Sequence, residues 1–109
     1  MNCSMKKVSI VVPCYNEETT IHFLLEAIFR QTYASECLEV ILADGMSTDR
    51  TRNRIEDFQR IHPELSIRVV DNPKRIIPAA LNLAIRDSTG EIIVRLDAHS
   101  VPDDDFVER

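Results

Sequence analysis

Short aliphatic runs alternate with amphipathic stretches along this chain of 109 residues. The runs at 8–12, 40–43, 67–70 and 92–96 are rich in Val, Ile and Leu and have the length of buried strands. Between them, apolar residues recur at the spacing of a helix in three segments. Strands that alternate with helices predict βαβ units with right-handed crossovers. The pattern therefore predicts an α/β fold with an open, mostly parallel sheet and helices on both faces.

Three apolar stripes define the predicted helices. They consist of Ile21, Leu24, Leu25 and Ile28, then Ile55, Phe58 and Ile61, and finally Ile77, Leu81, Ala84 and Ile85. The polar run Ser47, Thr48 and Asp49 suits the N-terminus of the second helix. Pro78 suits the first turn of the third helix, where its missing N–H has no partner to lose.

Composition fits one soluble globular domain that covers residues 1–109. Apolar residues make up 44% of the chain and charged residues 28%. The net charge of −5 is a poor match for a nucleic-acid surface, so no nucleic-acid partner is expected. With only two glycines, Gly45 and Gly90, the chain lacks both the G-x-G-x-x-G dinucleotide fingerprint and the P-loop. The glycine content therefore argues against Rossmann dehydrogenases and P-loop NTPases.

The cysteines and the ends of the chain set further expectations. Cys3, Cys14 and Cys37 are odd in number and lack C-x-x-C spacing, so neither a disulfide framework nor a zinc site is expected, and a reducing cytosol is the simplest setting. No stretch approaches the roughly 20 apolar residues of a spanning helix. Because the last strand is followed by a short acidic segment and then the end of the sequence, we expect a piece of a longer protein.

Polar residues follow each predicted strand, where parallel α/β sheets bind ligands. They are Pro13, Tyr15, Asn16, Glu17 and Glu18 after the first strand, Asp44 and Gly45 after the second, Asp71, Asn72, Lys74 and Arg75 after the third, and Asp97 and His99 after the fourth. Each alone could be an ordinary loop residue. Together they predict one ligand-binding edge.

The residue types suggest specific chemistry at this edge. Side chains two apart on an extended segment share a face, so Asp97 and His99 can reach one divalent cation, with Mn²⁺ somewhat better suited than Mg²⁺ to a site that includes imidazole. Such an ion could neutralise a diphosphate. Asp44 could accept a hydrogen bond from a base N–H, and Tyr15 could stack on the base. Asn82, on the polar side of the third helix, could face the ligand.

The acidic residues near the end of the chain have another interpretation. Asp103, Asp104 and Asp105 follow Pro102 and are interpreted as a solvated cap at a helix start, and not as a second metal site.

The order of the loop motifs resembles that of family 2 glycosyltransferases. The motifs are VSIVVPCYNEE at 8–18, DGMSTD at 44–49 and RLDAH at 95–99, and the last is similar to the succinoglycan-type subgroup that builds bacterial polysaccharides. The resemblance implies a GT-A fold with a Rossmann-like nucleotide-binding half, a nucleotide-sugar donor, usually a UDP-sugar, and Mn²⁺ or Mg²⁺.

The resemblance also implies roles for individual residues. Pro13, Tyr15, Glu17 and Asp44 would line the base and ribose site. Asp97 would approach the ribose and the metal, and His99, which replaces the usual second aspartate, would supply a metal ligand. Asn82 matches only the first residue of the N-x-G that the family often shows, because Ala84 stands in place of the glycine.

For the intact enzyme, the resemblance implies transfer of the sugar, with inversion, to a saccharide or lipid-linked acceptor. The catalytic base of the family lies well beyond the RLDAH motif, so no catalytic residue is assigned here. Membrane association is expected only through a missing C-terminal region, at the cytoplasmic face of the inner membrane. Two alternatives stay open: a non-catalytic nucleotide-binding module, and a receiver-like phosphotransfer domain with acidic residues at its strand ends.

Overall fold

The computed structural model describes Cys3, residues 5–99 and Val107, and within these residues the chain alternates between strands and helices. In chain order the elements are β1 (Val8–Cys14), α1 (Ile21–Phe29), a 3₁₀ turn (Ser35–Cys37), β2 (Leu38–Asp44), α2 (Thr51–Ile61), β3 (Ser66–Asp71), α3 (Ile77–Asp87) and β4 (Ile92–Arg95). Asp103, Asp104 and Asp105, expected to cap a helix, lie outside the described residues.

The four strands of the described region form one parallel sheet in the order β3-β2-β1-β4. Val8 pairs with Leu38 on one side and with Ile92 on the other. This is the order in which a Rossmann-type sheet begins, whereas receiver domains place β1 between β2 and β3. The predicted open parallel sheet is therefore confirmed, and the strand order does not support the receiver alternative.

Helices cover both faces of the sheet, because β1 and β2 are apolar on both sides. On one face, α1 and α2 pack over residues that include Ile10, Val12, Val40 and Leu42. On the other face, Ala80 and Ala84 of α3 pack against Val11, Ile41 and Ala43. Small residues on α3 let the helix approach the sheet closely. Val107 also packs against the first cluster and donates its N–H to Gln31 Oε1 at 3.0 Å.

Element boundaries differ from the sequence prediction at two places that matter for the site. The second helix begins at Thr51, because Asp49 Oδ1 accepts hydrogen bonds from the Thr51 N–H at 3.0 Å and the Thr51 hydroxyl at 2.5 Å and so holds 47–50 as a loop. The fourth strand ends at Arg95, so Asp97 and His99 lie on a turn-containing segment and not on an extended strand.

The cysteine prediction was wrong for two of the three cysteines. Cys3 and Cys37, which are 34 positions apart in sequence, form a disulfide with their Cα atoms 4.9 Å apart. Their spacing gives no sign of it, because the fold brings the start of the chain beside the turn before β2. Tyr33 reinforces this contact by donating its hydroxyl to the Lys6 carbonyl oxygen at 2.5 Å. Cys14 is a buried free thiol.

A buried carboxylate ties the amino ends of the strands together. Glu39 is fully buried and accepts hydrogen bonds from the Ser9 hydroxyl at 2.5 Å, the Thr89 N–H at 2.6 Å and Arg68 Nη2 at 3.1 Å. Lys7 Nζ lies 3.5 Å from the same carboxylate. We call Glu39 and these four partners the amino-end cluster. Gly90 closes it, since a Cβ there would lie 2.7 Å from the Ser9 backbone nitrogen.

Hydrogen bonds decide the charge state of the amino-end cluster. Burial raises the pKa of Glu39, but hydrogen bonds from Ser9 and Thr89 and the charge of Arg68 outweigh it and lower the pKa to about 2. Glu39 is therefore charged at neutral pH, and its role is structural: it joins the amino ends of the strands through these hydrogen bonds.

Of the helices that the structure describes, none is long and apolar enough to cross a membrane.

Candidate functional site

A cavity of about 210 Å³ lies at the carboxyl ends of the strands. We call it the strand-end cavity. Five of the residues to which the sequence analysis gave a ligand-binding role line it, namely Pro13, Tyr15, Glu17, Asp97 and His99. Asn72, Arg75 and Ile76, between β3 and α3, form another part of the wall with Ile77 at the start of α3. Loops that are far apart in sequence thus meet at one edge of the sheet, as the strand-end pattern predicts.

Hydrogen bonds join the loops after β1 and β2 into one unit. Asn16 Oδ1 accepts from the backbone N–H groups of Thr48 at 2.8 Å and Asp49 at 3.3 Å, while the Asn16 N–H donates to Ser47 Oγ at 2.9 Å. Asn16 has a φ of 51° and Met46 a φ of 63°. Both are in the left-handed region, which non-glycine residues adopt at a cost. The two loops are held in one strained arrangement beside the cavity.

Glu17 is positioned by the start of α2. Its backbone N–H donates to Thr51 Oγ1 at 2.7 Å, and its carboxylate accepts from Thr20 Oγ1 at 2.9 Å. Asp49 supports Thr51. Burial raises the Asp49 pKa, but the hydrogen bonds from Thr51 and from the Glu18 N–H outweigh it, so the pKa of Asp49 is lowered. A charged Asp49 therefore holds the loop that aims Glu17 at the cavity.

Asp44 lies beneath the cavity and is absent from its lining. It is fully buried at the end of β2, and its Oδ2 accepts from Arg52 Nε at 2.7 Å and from the Ser47 N–H at 3.0 Å. Its Oδ1 accepts from the Ser47 hydroxyl and, at 3.7 Å, from the Cys14 thiol. Both oxygens are thus engaged by neighbours in the protein. Arg52 also pairs with Asp71 at 2.5 Å and so links β2 to β3.

Cys14 is an inert thiol between Asp44 and the cavity. Burial, and then the Asp44 carboxylate beside it, raise the pKa of Cys14 far above the ordinary range. A thiol of this kind stays protonated, and we assign no nucleophilic role to it.

Tyr15 provides the aromatic surface of the cavity. The side chain is 44% exposed, and the Arg75 guanidinium lies over its ring, 5.7 Å from the centroid. Arg75 has a φ of 60°, and its N–H donates to the Asn72 carbonyl oxygen at 3.1 Å. The turn after β3 thus presents a cation to the ring that follows β1.

Asp97 and His99 are both exposed and both line the cavity, whereas the intervening Ala98 is buried. Arg95 Nη2 lies 3.4 Å from Asp97 Oδ1. A carboxylate and an imidazole on one wall are a donor set that suits Mn²⁺. Among the residues that the structure describes, no three His, Cys, Asp or Glu side chains converge as a complete protein metal site. The pair therefore fits an ion whose other ligands come from a substrate.

Asn82 lies away from the strand-end cavity. It is exposed on α3 and lines a second cavity of about 260 Å³, together with Lys74, Leu83 and Arg86. Asn72 lines both cavities. Sequence reasoning noted Asn72 and Arg75 as strand-end residues but gave them no role. It considered Ser47 only as part of a helix start and did not single out Arg52. The only sequence signal for Ser47 and Arg52 is their position three and eight residues after Asp44, whose carboxylate both contact.

Comparisons with known proteins agree with this architecture. The model described as "Glycosyl transferase family 2" matches residues 9–109. The succinoglycan biosynthesis protein ExoA of Rhizobium meliloti is 37% identical over 102 residues, which is 92% of this chain and 30% of ExoA. A diacetamido-dideoxy-glucuronosyltransferase of Methanococcus voltae that acts on a dolichyl N-acetylglucosaminyl phosphate is 36% identical over 95% of this chain and 32% of its own length.

Solved structures show the same fold. The mannosyltransferase PcManGT of Pyrobaculum calidifontis, in complex with GDP-Man and Mn²⁺, aligns with a TM-score of 0.85 and 37% identity over 91% of this chain and 29% of its own. TarS of S. aureus in complex with UDP aligns with a TM-score of 0.81 and 25% identity over 94% of this chain and 30% of its own. The chain thus spans about a third of the length of these proteins.

The sheet order, the position of the cavity and the match over residues 9–109 lead to one conclusion: this chain belongs to glycosyl transferase family 2 and has the GT-A fold.

Proposed function

We propose that the strand-end cavity binds the nucleoside diphosphate of an activated sugar, and that the intact protein transfers this sugar to a saccharide or lipid-linked acceptor in polysaccharide synthesis. One observation carries the proposal: an aromatic ring, a carboxylate, an imidazole and a cation border the same cavity, and they come from the three loops that follow β1, β3 and β4. Tyr15 would stack on the base, and Pro13 and Glu17 would face the base and ribose.

Asp97 and His99 would hold Mn²⁺ or Mg²⁺. When bound, the ion would neutralise the charge that builds on the diphosphate as it leaves the sugar. The Asp97 carboxylate would also orient the ribose. Arg95 keeps the charge of Asp97 partly balanced in the protein described here.

A UDP-sugar is the donor that we propose first, since UDP and UDP-GlcNAc occupy TarS crystal structures. GDP-mannose in PcManGT makes a GDP-sugar the second candidate. We propose inversion at the anomeric carbon, by direct attack of an acceptor hydroxyl. That step needs a general base, typically worth 10²–10⁴-fold in rate, and we assign this role to none of the residues described. Asn82 would serve the ligand only from the second cavity. We propose a cytoplasmic location, where the two cysteines of the Cys3–Cys37 disulfide would be kept reduced.

Calorimetry on the 109-residue chain tests the proposal. UDP and GDP are titrated with Mn²⁺ and, separately, with a chelator. We expect at least one of them to bind, to weaken about tenfold or more without Mn²⁺, and to weaken similarly in Asp97→Ala. Glu91→Ala, a change at an exposed carboxylate before β4, is the matched control and should bind like the unaltered chain. Equal affinity with and without Mn²⁺ would overturn the metal assignment, and no binding of either nucleotide would overturn the proposed function.

A further inference from the structure

β4 is an edge strand with open hydrogen-bonding groups. Among the strands that the structure describes, it pairs with β1 alone. The N–H groups of Ile92 and Leu96 donate to carbonyl oxygens on β1 or directly before it, at 3.2 and 3.1 Å. Because backbone groups alternate in direction along a strand, the N–H and C=O groups of Ile93 and Arg95 point away from β1. Such an edge can pair with a strand of another chain.

The surface around β4 is rich in exposed isoleucines. Ile92 and Ile93 are each 43% exposed and, as neighbours in a strand, point to opposite faces of the sheet. Ile93 lies opposite Ser9, on the face that α3 covers. Exposed apolar side chains that cluster mark an interaction surface. Half of the ten large hydrophobic residues that are exposed in the described part of the chain lie on β4, on α3 or directly before α3, namely Ile76, Ile77, Ile85, Ile92 and Ile93.

The sequence of β4 is complementary to itself when two copies run antiparallel. A two-fold axis at Ile93 places this residue opposite its own copy and Ile92 opposite Val94. The same axis places Glu91 opposite Arg95. The outward backbone groups of Ile93 then form the hydrogen-bonded pair that an antiparallel ladder requires. Opposite charges directly across two strands stabilise the pair, and the two-fold axis produces this contact twice.

Other positions of the axis lose this match. An axis one residue later would place Ile93 opposite Arg95 and would bring Glu91 opposite Asp97, so that two carboxylates face each other. An axis one residue earlier would place Glu91 opposite Ile93. The charges beside β4 therefore favour one register.

We propose that the 109-residue chain forms a two-fold symmetric dimer by antiparallel pairing of β4 with β4 of a second copy, centred on Ile93. The two parallel sheets join into one sheet with four strands from each copy, and the exposed isoleucines of α3 flank the joint on one face. Because the strands of the two copies run in opposite directions, the two strand-end cavities open at opposite ends of the joined sheet. The inference concerns association alone and is independent of the function proposed above.

Analytical ultracentrifugation of the 109-residue chain over a series of concentrations tests the proposal. We expect the average mass to rise from that of one chain towards that of two between about 1 μM and about 500 μM, because four-residue strands form a small interface. Ile93→Lys places two ammonium groups at the axis and should weaken association at least about tenfold. Ile61→Lys, the same change at an isoleucine that is 67% exposed at the end of α2, is the matched control and should associate like the unaltered chain.

Charge reversal tests the register. Glu91→Arg and Arg95→Glu each place like charges opposite one another at both contacts, and each should weaken association about tenfold. An equimolar mixture of the two variants should associate within about threefold of the unaltered chain, because every reversed charge then meets an opposite charge in the other copy.

Four results would overturn the proposal. A chain that stays monomeric throughout the concentration series would do so, and the edge of β4 would then be left to another part of a longer protein. This result needs no variant and holds even if a substitution prevents folding. A dimer that survives denaturant until reductant is added would be linked by a disulfide and not by β4. The other two results are association that Ile93→Lys leaves unchanged and a mixture of the charge variants that associates as weakly as its components.

Discussion

β2 carries a fully buried carboxylate near each of its ends, and the two have different surroundings. Glu39, near the amino end, is enclosed by the amino-end cluster, and a nearby disulfide fastens the start of the chain to the turn before β2. Asp44, at the carboxyl end, is held by Ser47 and Arg52 beneath an open cavity. Left-handed residues, an exposed aromatic ring and the Asn72 side-chain oxygen, which accepts no hydrogen bond from the described residues, surround this cavity.

The difference shows how one strand separates stability from function. At the amino end the polar groups satisfy one another, and nothing there needs a ligand. At the carboxyl end a similar buried charge holds loops whose outer residues keep unused hydrogen-bonding capacity. Strain and unsatisfied groups concentrate at binding sites because the rest of the fold supports them.

Removing the amino-end carboxylate should have the largest effect on stability. We expect Glu39→Ala to lower the free energy of unfolding by about 4 kcal/mol, because Ser9, Arg68 and Thr89 lose their shared acceptor inside the protein. Urea unfolding measures the loss. Glu36→Ala, at an exposed carboxylate in the preceding turn, is the control and should change stability by less than about 0.5 kcal/mol. A loss below about 1 kcal/mol would show that the cluster is not a stabilising unit.

Breaking the disulfide should have the next largest effect. Closing a loop of 34 residues contributes about 3 kcal/mol through the unfolded state. We expect reductant to lower the unfolding free energy of the unaltered chain by that amount and to leave Cys3→Ala unchanged. Mass spectrometry of the unreduced chain, alkylated in denaturant so that buried thiols react, should find one modified thiol, Cys14. Three modified thiols would contradict the pairing.

Acid should weaken the amino end through Glu39. Its pKa is about 2 in the folded chain against 4.5 ordinarily, so its contribution is present above pH 4.5 and is lost as the pH falls towards 2. We expect a loss of about 2 kcal/mol over this window, after allowance for solvent screening. Glu39→Gln should remove this part of the pH dependence. If the stability of Glu39→Gln fell as steeply on acidification as that of the unaltered chain, the assignment of this pH dependence to Glu39 would be refuted.

Replacing Arg52, which holds Asp44 at the carboxyl end of β2, should change the stability of the chain less and its nucleotide affinity more. We expect Arg52→Gln to cost about 1 kcal/mol of stability, because Arg52 is partly exposed and Ser47 still holds Asp44. Nucleotide affinity should fall several-fold as the loops loosen. Arg54→Gln, at an exposed position on the same helix, controls for the lost charge. An unchanged nucleotide affinity would indicate that Arg52 acts on stability alone.

The sequence predicted the sheet, its helices and the edge that carries the cavity, because hydrophobic periodicity and strand-end polarity are local signals. Tyr15, Glu17, Asp97 and His99 line that cavity as the pattern suggested. The Cys3–Cys37 pairing and the Glu39 contacts join residues 34 and 50 positions apart, so no local pattern encodes them.

The placements of Asp44 and Asn82 show a second limit of sequence reasoning. Asp44 at the end of β2 stays a predicted ligand-binding residue, and the fold adds that its carboxylate also accepts hydrogen bonds from protein donors such as Arg52. Asn82 has the polarity of a site residue but lies five residues after Ile77 on α3, beside another cavity. Hydrophobic periodicity predicts which residues share a face of a helix, but it does not predict which part of the protein or which cavity that face contacts.

The most direct test of the central claim compares the two ends of the sheet in one spectrum. UDP with Mg²⁺ is added to the ¹⁵N-labelled chain, and the chemical shifts of the backbone amides are followed by NMR spectroscopy. We predict the largest changes at Tyr15, Gly45 and Ala98 around the strand-end cavity. Resonances of Thr89, in the amino-end cluster, and of the adjacent Gly90 should stay unchanged. Changes centred on Thr89 and Gly90, with Tyr15 and Ala98 unmoved, would contradict the assignment of this cavity as the nucleotide site.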